Sequence, residues 1–108
     1  MGYEYTIKIE KLDSAQFMQR TKDALKAIDL LFFYNSGGEL LIKDPSVVSS
    51  WNYDVSMKEE DAQRIHVVLV GWSFLIYKVF QVALSALAYE ISDDEECISL
   101  EKMFRIMN

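Results

Sequence analysis

Apolar and polar residues alternate at the start of the chain and then recur at helical spacing. Residues 3–9 place aromatic and β-branched side chains at every second position, which predicts a half-buried strand. Over residues 17–28 the apolar positions recur at spacings of four, four and three. This stripe predicts an amphipathic helix over residues 15–27. Asp13 and Gln16 form a capping-box pattern at its start.

A β-hairpin and a further strand are predicted next. Two short apolar runs, residues 30–34 and 39–43, flank a loop at residues 35–38 whose Asn and Gly residues tolerate positive φ. After a Ser-rich loop, apolar and polar residues alternate again over residues 51–55. The first half of the chain therefore reads strand, helix, hairpin, strand.

The second half contains a long apolar stretch that begins after another capping-box pattern, Ser56 with Glu59. One helix over residues 57–91 would be about 50 Å long, more than a domain of this length spans. We therefore expect a break at Gly71, with one helix before it and a second over residues 72–91. This interpretation places Val68 and Leu75 in the core.

An alternative interpretation concerns residues 65–70, where β-branched side chains dominate and a buried strand is also consistent with the pattern. Near the C-terminus, Ser92 and Glu95 form a third capping pattern, and apolar residues follow at helical spacing over residues 97–107. The sequence thus predicts a single α+β domain over residues 1–108. Its small, mainly antiparallel sheet packs against helices, and its C-terminal half is helical.

Composition narrows the functional classes. The chain has 108 residues, 51% of them hydrophobic, with 17 acidic and 11 basic side chains and a net charge of −6. Such a chain is globular, and an acidic surface disfavours direct binding to nucleic acid, which requires an excess of Lys and Arg. The N-terminus lacks the basic and apolar segments of a secretory signal, so we expect a cytoplasmic protein.

A membrane span is disfavoured although residues 67–85 are strongly hydrophobic. Lys78 lies near the middle of this segment, and a lysine at the centre of a membrane helix costs about 3 kcal/mol. Lys78, Gln81 and Ser85 also fall on one helical face. We therefore expect a core helix with one solvent-exposed edge.

Catalytic and metal-binding chemistry have little support in the sequence. His66 is the only histidine and Cys97 the only cysteine. They are formally available as a nucleophilic pair, but His66 lies among β-branched apolar residues. We expect His66 to be a partly buried histidine and Cys97 a small buried hydrophobe. A zinc site would need two carboxylate ligands at no recognisable spacing. We expect no enzymatic activity, no metal and no cofactor.

The acidic residues form two short segments that are candidates for binding a basic partner. The first acidic segment, residues 93–96, has more negative charge than the capping of a helix requires, although a solvated helix start also explains it. A second, weaker cluster precedes the apolar stretch. The candidate residues are Asp93, Asp94, Glu95 and Glu96 in the first acidic segment and Glu59, Glu60 and Asp61 in the second.

Two aromatic residues beside the Ser-rich loop, Trp51 and Tyr53, are further candidates for a partner contact. Tryptophan and tyrosine are enriched among the residues that dominate protein interfaces. We expect one of the two to be exposed as an interface anchor.

In size, acidity and composition the whole chain is similar to bacterial immunity proteins of contact-dependent growth-inhibition systems. The resemblance implies a non-catalytic inhibitor that binds a basic toxin domain, a nuclease above all, with stoichiometric occupancy. Acidic side chains would then cover the groove where the toxin holds phosphates, or a nearby surface. The alternative is a structural or interaction subunit that forms a homodimer or larger homo-oligomer, favoured by the apolar fraction and by Met103 and Met107.

Overall fold

The alternating segment at the start of the chain forms an inner strand of a single sheet. The computed structural model describes residues 2–47, 51–94 and 96–106. Within these ranges the elements are β1 (Tyr3–Ile9), α1 (Ser14–Ala27), β2 (Leu31–Tyr34), β3 (Leu40–Lys43), β4 (Val55–Glu59), β5 (Arg64–Leu69), α2 (Phe74–Ala83), β6 (Tyr89–Asp93), β7 (Glu96–Ile98) and α3 (Leu100–Met103). These described strands form one seven-stranded antiparallel sheet in the order β2-β3-β4-β5-β1-β6-β7.

The core lies between one face of this sheet and the helices. In the register Ile7 pairs with Ile65 on one side and with Ile91 on the other. Directly opposed residues point to the same face, so this row faces inward together with every second residue along each strand. Phe17 of α1 and Phe80 of α2 are fully buried in the same cluster. We call this side the inner face and the opposite side the open face.

Local signals explain why α1 begins and ends where it does. The Asp13 carboxylate accepts from the Gln16 N–H at 2.8 Å, while the Gln16 side chain accepts from the Asp13 N–H at 3.0 Å. This is the predicted capping box. At the other end Asp29 adopts a left-handed φ of 57°, and the Leu30 N–H donates to the Leu25 carbonyl at 3.1 Å. Such a left-handed residue is a common way for a helix to end.

Replacing Asp29 by glycine should stabilise the protein, because glycine adopts this left-handed conformation without the steric penalty of a Cβ. We expect the free energy of unfolding to rise by about 0.5–1 kcal/mol, measured by urea denaturation. Asp23→Gly, at an exposed position inside α1, should have the opposite effect and cost about 0.3 kcal/mol, the difference between the helix propensities of Asp and Gly. Destabilisation by both variants would contradict the role of Asp29 in ending the helix.

The α+β class, β1, α1 and the hairpin of β2 and β3 are confirmed. The hairpin turn is held by the Asn35 side chain, whose Oδ1 accepts from the N–H groups of Gly37 and Glu39 at 2.9 Å each. The strand predicted over residues 51–55 begins only at Val55. The preceding Asp54 is buried and its backbone bonds to the neighbouring strands, with its N–H donating to the Ile42 carbonyl.

The predicted helix before Gly71 is wrong, and the alternative interpretation of residues 65–70 is correct for β5, which covers residues 64–69. Residues 55–59 and 64–69 form the antiparallel pair β4 and β5. In this pair the residues with inward side chains alternate with residues on the open face, as in β1. The Ser56–Glu59 capping pattern therefore lies inside a strand. The β-branched residues fit a pleated surface better than a helix.

The prediction that the C-terminal half is helical is also wrong. The predicted helix over residues 72–91 is confined to α2, which begins after Ser73 and whose C-cap residue is Leu84. Ala86 has a left-handed φ of 65°, and the chain then returns as β6. The segment after Ser92 forms the β6–β7 hairpin, with only the short α3 behind it. The C-terminal half is therefore mostly strands.

Within the described residues, no helix has the length and apolar character needed to cross a bilayer. The radius of gyration is 12.8 Å, close to the value of about 13 Å expected for one domain of this length. Short antiparallel strands joined by turns fit within a domain of this size, whereas one helix over residues 57–91 would not.

Candidate binding surface

A row of mainly polar residues crosses the open face of the sheet. The register places His66 beside Lys58 on one side and beside Thr6 on the other, and it continues from Thr6 to Ser92 and Cys97. These five side chains share one face because directly opposed residues of antiparallel strands do. Lys58 and Cys97 are exposed and the middle three residues are half-buried. The row is therefore accessible along its length.

His66 lies between two carboxylates at the centre of this row. Its Nε2 is 3.1 Å from Oε1 of Glu4 on β1, and its Nδ1 is 3.4 Å from Oε1 of Glu60, which follows β4. A protonated imidazole donates from both nitrogens, whereas the neutral ring donates from one. The ring thus connects acids from two separate parts of the chain. We call Glu4, Glu60 and Asp94, grouped around His66, the acidic site.

A shallow cavity of about 280 Å³ opens beside His66. Its lining includes the carboxylates of Glu4 and Asp94 and the hydroxyl groups of Thr6 and Ser92, and all of these groups are able to accept hydrogen bonds. An ammonium or guanidinium group requires such acceptors, and charge-assisted hydrogen bonds are the stronger kind. The cavity is chemically matched to a Lys or Arg side chain. Its lining residues are Glu4, Tyr5, Thr6, His66, Ser92 and Asp94.

The first acidic segment is a hairpin turn rather than the predicted helix start. Asp93 pairs with Glu96 across the turn, and Asp94 has a left-handed φ of 54°. Asp and Asn tolerate this conformation in turns. Glu95 lies outside the described residues. The acids of this segment follow hairpin geometry, so neighbouring residues point to different sides of the sheet.

Among the described acids of this segment, Asp94 alone lines the cavity beside His66. Asp93 lines a second cavity of about 620 Å³ together with Tyr3, Tyr5 and Arg105. There the Arg105 guanidinium stacks on the Tyr3 ring, with its Cζ 4.8 Å from the ring centroid. Glu96 is exposed and its carboxylate is 3.9 Å from the Lys102 ammonium of α3. Asp93, Asp94 and Glu96 therefore do not form one surface.

The second acidic segment is divided in the same way. Glu60 contacts His66, but the Asp61 carboxylate accepts from the N–H groups of Gln63 and Arg64 at 2.9 Å each and so holds the β4–β5 turn. Glu59 is exposed and pairs with Ile65 of the inner-face row. Of this predicted set, Glu60 alone belongs to the acidic site.

Basic residues lie farther along the open face. Lys8 stands between Arg64 and Glu90 in the register, and Lys58 is beside His66. The face is therefore acidic around Glu4 and Asp94 and mixed in charge beyond His66. A partner that uses the whole face must match both parts.

Trp51 and Tyr53 lie in the loop before β4. Trp51 is 47% exposed and Tyr53 is half-buried. Their part in a partner contact remains a prediction. Neither residue is a member of the acidic site.

His66 and Cys97 do not form a nucleophilic pair. Two strands separate β5 from β7, so their backbones are about 14 Å apart at the usual strand spacing. Cys97 is exposed rather than a buried hydrophobe. Among the residues that the structure describes, no group of three His, Cys, Asp or Glu side chains is arranged to hold a metal ion.

A second polar cluster, not anticipated from the sequence, is buried beneath the β3–β4 loop. The Asp44 carboxylate accepts from the Ser73 hydroxyl at 2.5 Å and from the Ser46 N–H at 2.9 Å. Asp54 accepts from the Asp44 N–H at 2.9 Å, and its other oxygen is 3.4 Å from the Lys43 ammonium. Ser73 also caps α2 by accepting from the Ile76 N–H. The cluster ties this loop to the start of α2.

Comparisons with known proteins add no relative to this description. No protein-family description, curated protein or solved structure matches the chain. The acidic site on the open face, the buried cluster around Asp44 and Asp54 and the exposed surfaces are therefore the features that bear on function.

Proposed function

We propose that this chain is a stoichiometric inhibitor of the immunity-protein type, which binds a basic toxin domain, a nuclease above all, through the acidic site. The observation that carries the proposal is the juxtaposition of acids on the open face. One carboxylate from each acidic segment, Glu60 and Asp94, lies with Glu4 around His66. In this proposal the protein acts in the cytoplasm, where the toxin would otherwise reach its substrate.

The acidic site suits a cationic partner in chemistry and in reach. The Glu4 carboxylate is 70% exposed and the Glu60 carboxylate 40%. A Lys or Arg side chain that enters the adjacent cavity meets both Glu4 and Asp94. Arg is the residue best suited to bind carboxylates because its planar guanidinium donates two parallel hydrogen bonds.

The net charge of −6 supports the same proposal through attraction that acts over longer distances than direct contact. An acidic protein attracts a basic one before contact, which accelerates association at low salt. A nuclease holds phosphates with a basic groove, and carboxylates are able to compete for the same cations. Inhibition then requires only that the groove be covered, with no covalent step.

Reversing two charges of the acidic site should weaken partner binding. The double variant Glu4→Lys/Asp94→Lys places like charges opposite the cations of the partner, and we expect at least about tenfold lower affinity. The partner is captured from the source bacterium on the immobilised chain and identified, and its affinity is then measured by calorimetry. Association of the wild type should also slow as salt is raised.

A matched control reverses two exposed acids away from the open face, Asp23 on α1 and Glu96 near α3. This control changes the net charge by the same amount, so general attraction falls equally. Its affinity should stay within about threefold of the wild type, since rim or remote charges contribute little. Equal loss in both double variants would show that net charge alone matters and would reject the acidic site.

The single histidine supplies a direct readout. His66 is the only one in the chain, so its ring carbon-bound protons give isolated signals in nuclear magnetic resonance. Addition of the captured partner should shift these signals. Tight binding without any shift would locate the contact elsewhere on the protein.

A further inference from the structure

The strand at one edge of the sheet, β2, carries unusually exposed apolar side chains. Leu31 is 57% exposed, Phe33 47% and Tyr34 49%. On the open face, Phe33 lies beside the apolar Leu41 of β3, its partner in the register. An exposed, apolar edge strand is a template for pairing with another chain.

The opposite edge differs in the ways that prevent such pairing. β7 has three residues, begins at Glu96 and follows the acidic turn that contains Asp94. Short and charged edges discourage edge-to-edge contact. β2 is one residue longer and contains no charged side chain, so the charge that protects the β7 edge is missing from the β2 edge.

The ladder between β2 and β3 shows which backbone groups of β2 point outward. The Asn35 N–H donates to the Glu39 carbonyl at the start of the hairpin. Hydrogen-bonded and non-hydrogen-bonded pairs alternate along an antiparallel ladder, so Phe33 and Leu31 bond to β3. Phe32 and Tyr34 consequently direct their N–H and C=O groups away from the sheet.

We propose that β2 pairs in antiparallel fashion with β2 of a second copy of this chain, with Phe33 opposite the same residue of the copy. In this register Phe32 lies opposite Tyr34 of the copy and exchanges backbone hydrogen bonds with it. Opposed residues then lie on matching faces, as an antiparallel sheet requires. A two-fold contact of this kind is the commonest symmetry among homo-oligomers.

The acidic site and the acidic turn lie far from β2, so their repulsion does not oppose the pairing of a second copy at this edge. The acidic site and the acidic turn lie toward the other end of the sheet, and β2 is separated from β7 by six strand spacings, about 29 Å. The acidic edges of two copies joined at β2 therefore lie at opposite ends of one continuous sheet, well beyond a Debye length of about 8 Å. Joining at β7 would bring Asp94 and Glu96 of both copies together.

This contact extends beyond the proposed inhibitor function and leaves the acidic site uncovered in both copies. The dimer would present two such sites on the same face of a fourteen-stranded sheet, twice the described strands of one copy. A dimer can form whether or not a toxin is the partner, so the two proposals fail independently.

The test is sedimentation velocity of the purified chain from about 1 µM to about 1 mM, concentrations that span weak to moderate self-association. We expect reversible, concentration-dependent dimerisation of the wild type. Phe33→Lys places a charge at the centre of the contact and should weaken dimerisation at least about tenfold. A wild type that stays monomeric over the whole range would overturn the proposal.

Two further variants keep the test decisive. Tyr34→Pro removes an N–H that points away from the sheet, so the bonds to β3 remain while the contact with the copy is lost. It decides the outcome if Phe33→Lys does not fold. Val82→Lys alters a 60% exposed apolar residue on α2 and should leave dimerisation unchanged. Dimerisation that survives both β2 variants, or that Val82→Lys also abolishes, would reject the β2 contact.

Discussion

Val67→Asp should abolish the folded state at 25 °C, whereas Val68→Asp, one residue later, should leave the chain folded. Val67 is completely buried on the inner face of β5. Val68 is half-buried on the open face, in the row that contains Glu4 and Ser56. A carboxylate without a partner at the inner position costs several kcal/mol, a large share of a typical stability of about 5–15 kcal/mol.

The same contrast is expected between neighbouring positions of α2. Ile76 is completely buried, while Leu75 is 40% exposed. Ile76→Asp should therefore unfold the protein, and Leu75→Asp should lower the melting temperature by only a few degrees, about 1 kcal/mol or less.

Thermal melting followed by circular dichroism measures all four variants. The two-helix interpretation of the apolar stretch, with its break at Gly71, places Val68 and Leu75 in the core, so it expects Val68→Asp and Leu75→Asp to unfold the protein. Unfolding by Val68→Asp with a stable Val67→Asp would contradict the strand assignment of β5.

The elements that the sequence predicts correctly depend on local signals. β1 is defined by strict alternation, and α1 by a capping box together with a helical stripe. The hairpin of β2 and β3 follows from a loop whose Asn35 side chain organises the turn. Each of these features is complete within a few neighbouring residues, so the sequence pattern contains all the information required.

The second half of the chain is predicted less well because its pattern is ambiguous. A short apolar run fits a buried strand and a buried helix equally, and the choice is made by what it packs against. Ser56 and Glu59 have the spacing of a capping box but lie in β4, where pairing with β3 and β5 satisfies the backbone. Tertiary contacts thus override a local signal.

The acidic site is predictable only in part. Glu60 and Asp94 are recognisable because they belong to runs of acids, but their juxtaposition depends on the register of β5 and β1, the two strands that lie between β4 and β6. Glu4 is not predicted as a site residue, because a charged residue at a polar position of an alternating strand is expected on the solvent side and does not by itself indicate binding. Asp61 and Asp93 are indistinguishable from these residues in sequence, and the structure gives them other contacts.

Asp44→Ala should destabilise the protein by about 2–4 kcal/mol at neutral pH, because the buried Ser73 hydroxyl and the part-buried donors of Ser46 lose a charged acceptor. Asp44 is 2% exposed and accepts hydrogen bonds from Ser73 and Ser46. The loss should appear in urea denaturation as a lower midpoint with an unchanged slope.

The pH dependence identifies the carboxylate itself. Burial raises the pKa of Asp44, but the hydrogen bonds from Ser73 and Ser46 outweigh it, so the pKa in the folded protein lies below its ordinary value of 3.8. A lowered pKa contributes stability that is complete above the unfolded value and declines as the pH falls through the folded value. Its contribution should therefore be full at neutral pH and decrease below pH 3.8.

Asp44→Asn separates this charge from the shape of the side chain. It should be less stable than the wild type at pH 7, and the difference in free energy of unfolding should shrink as the pH falls below 3.8. Asp23→Asn, at an exposed position on α1, should stay within about 0.5 kcal/mol of the wild type throughout. A difference for Asp44→Asn that does not change with pH would show that Ser73 and Ser46 stabilise the loop through side-chain shape and not through the ionised carboxylate.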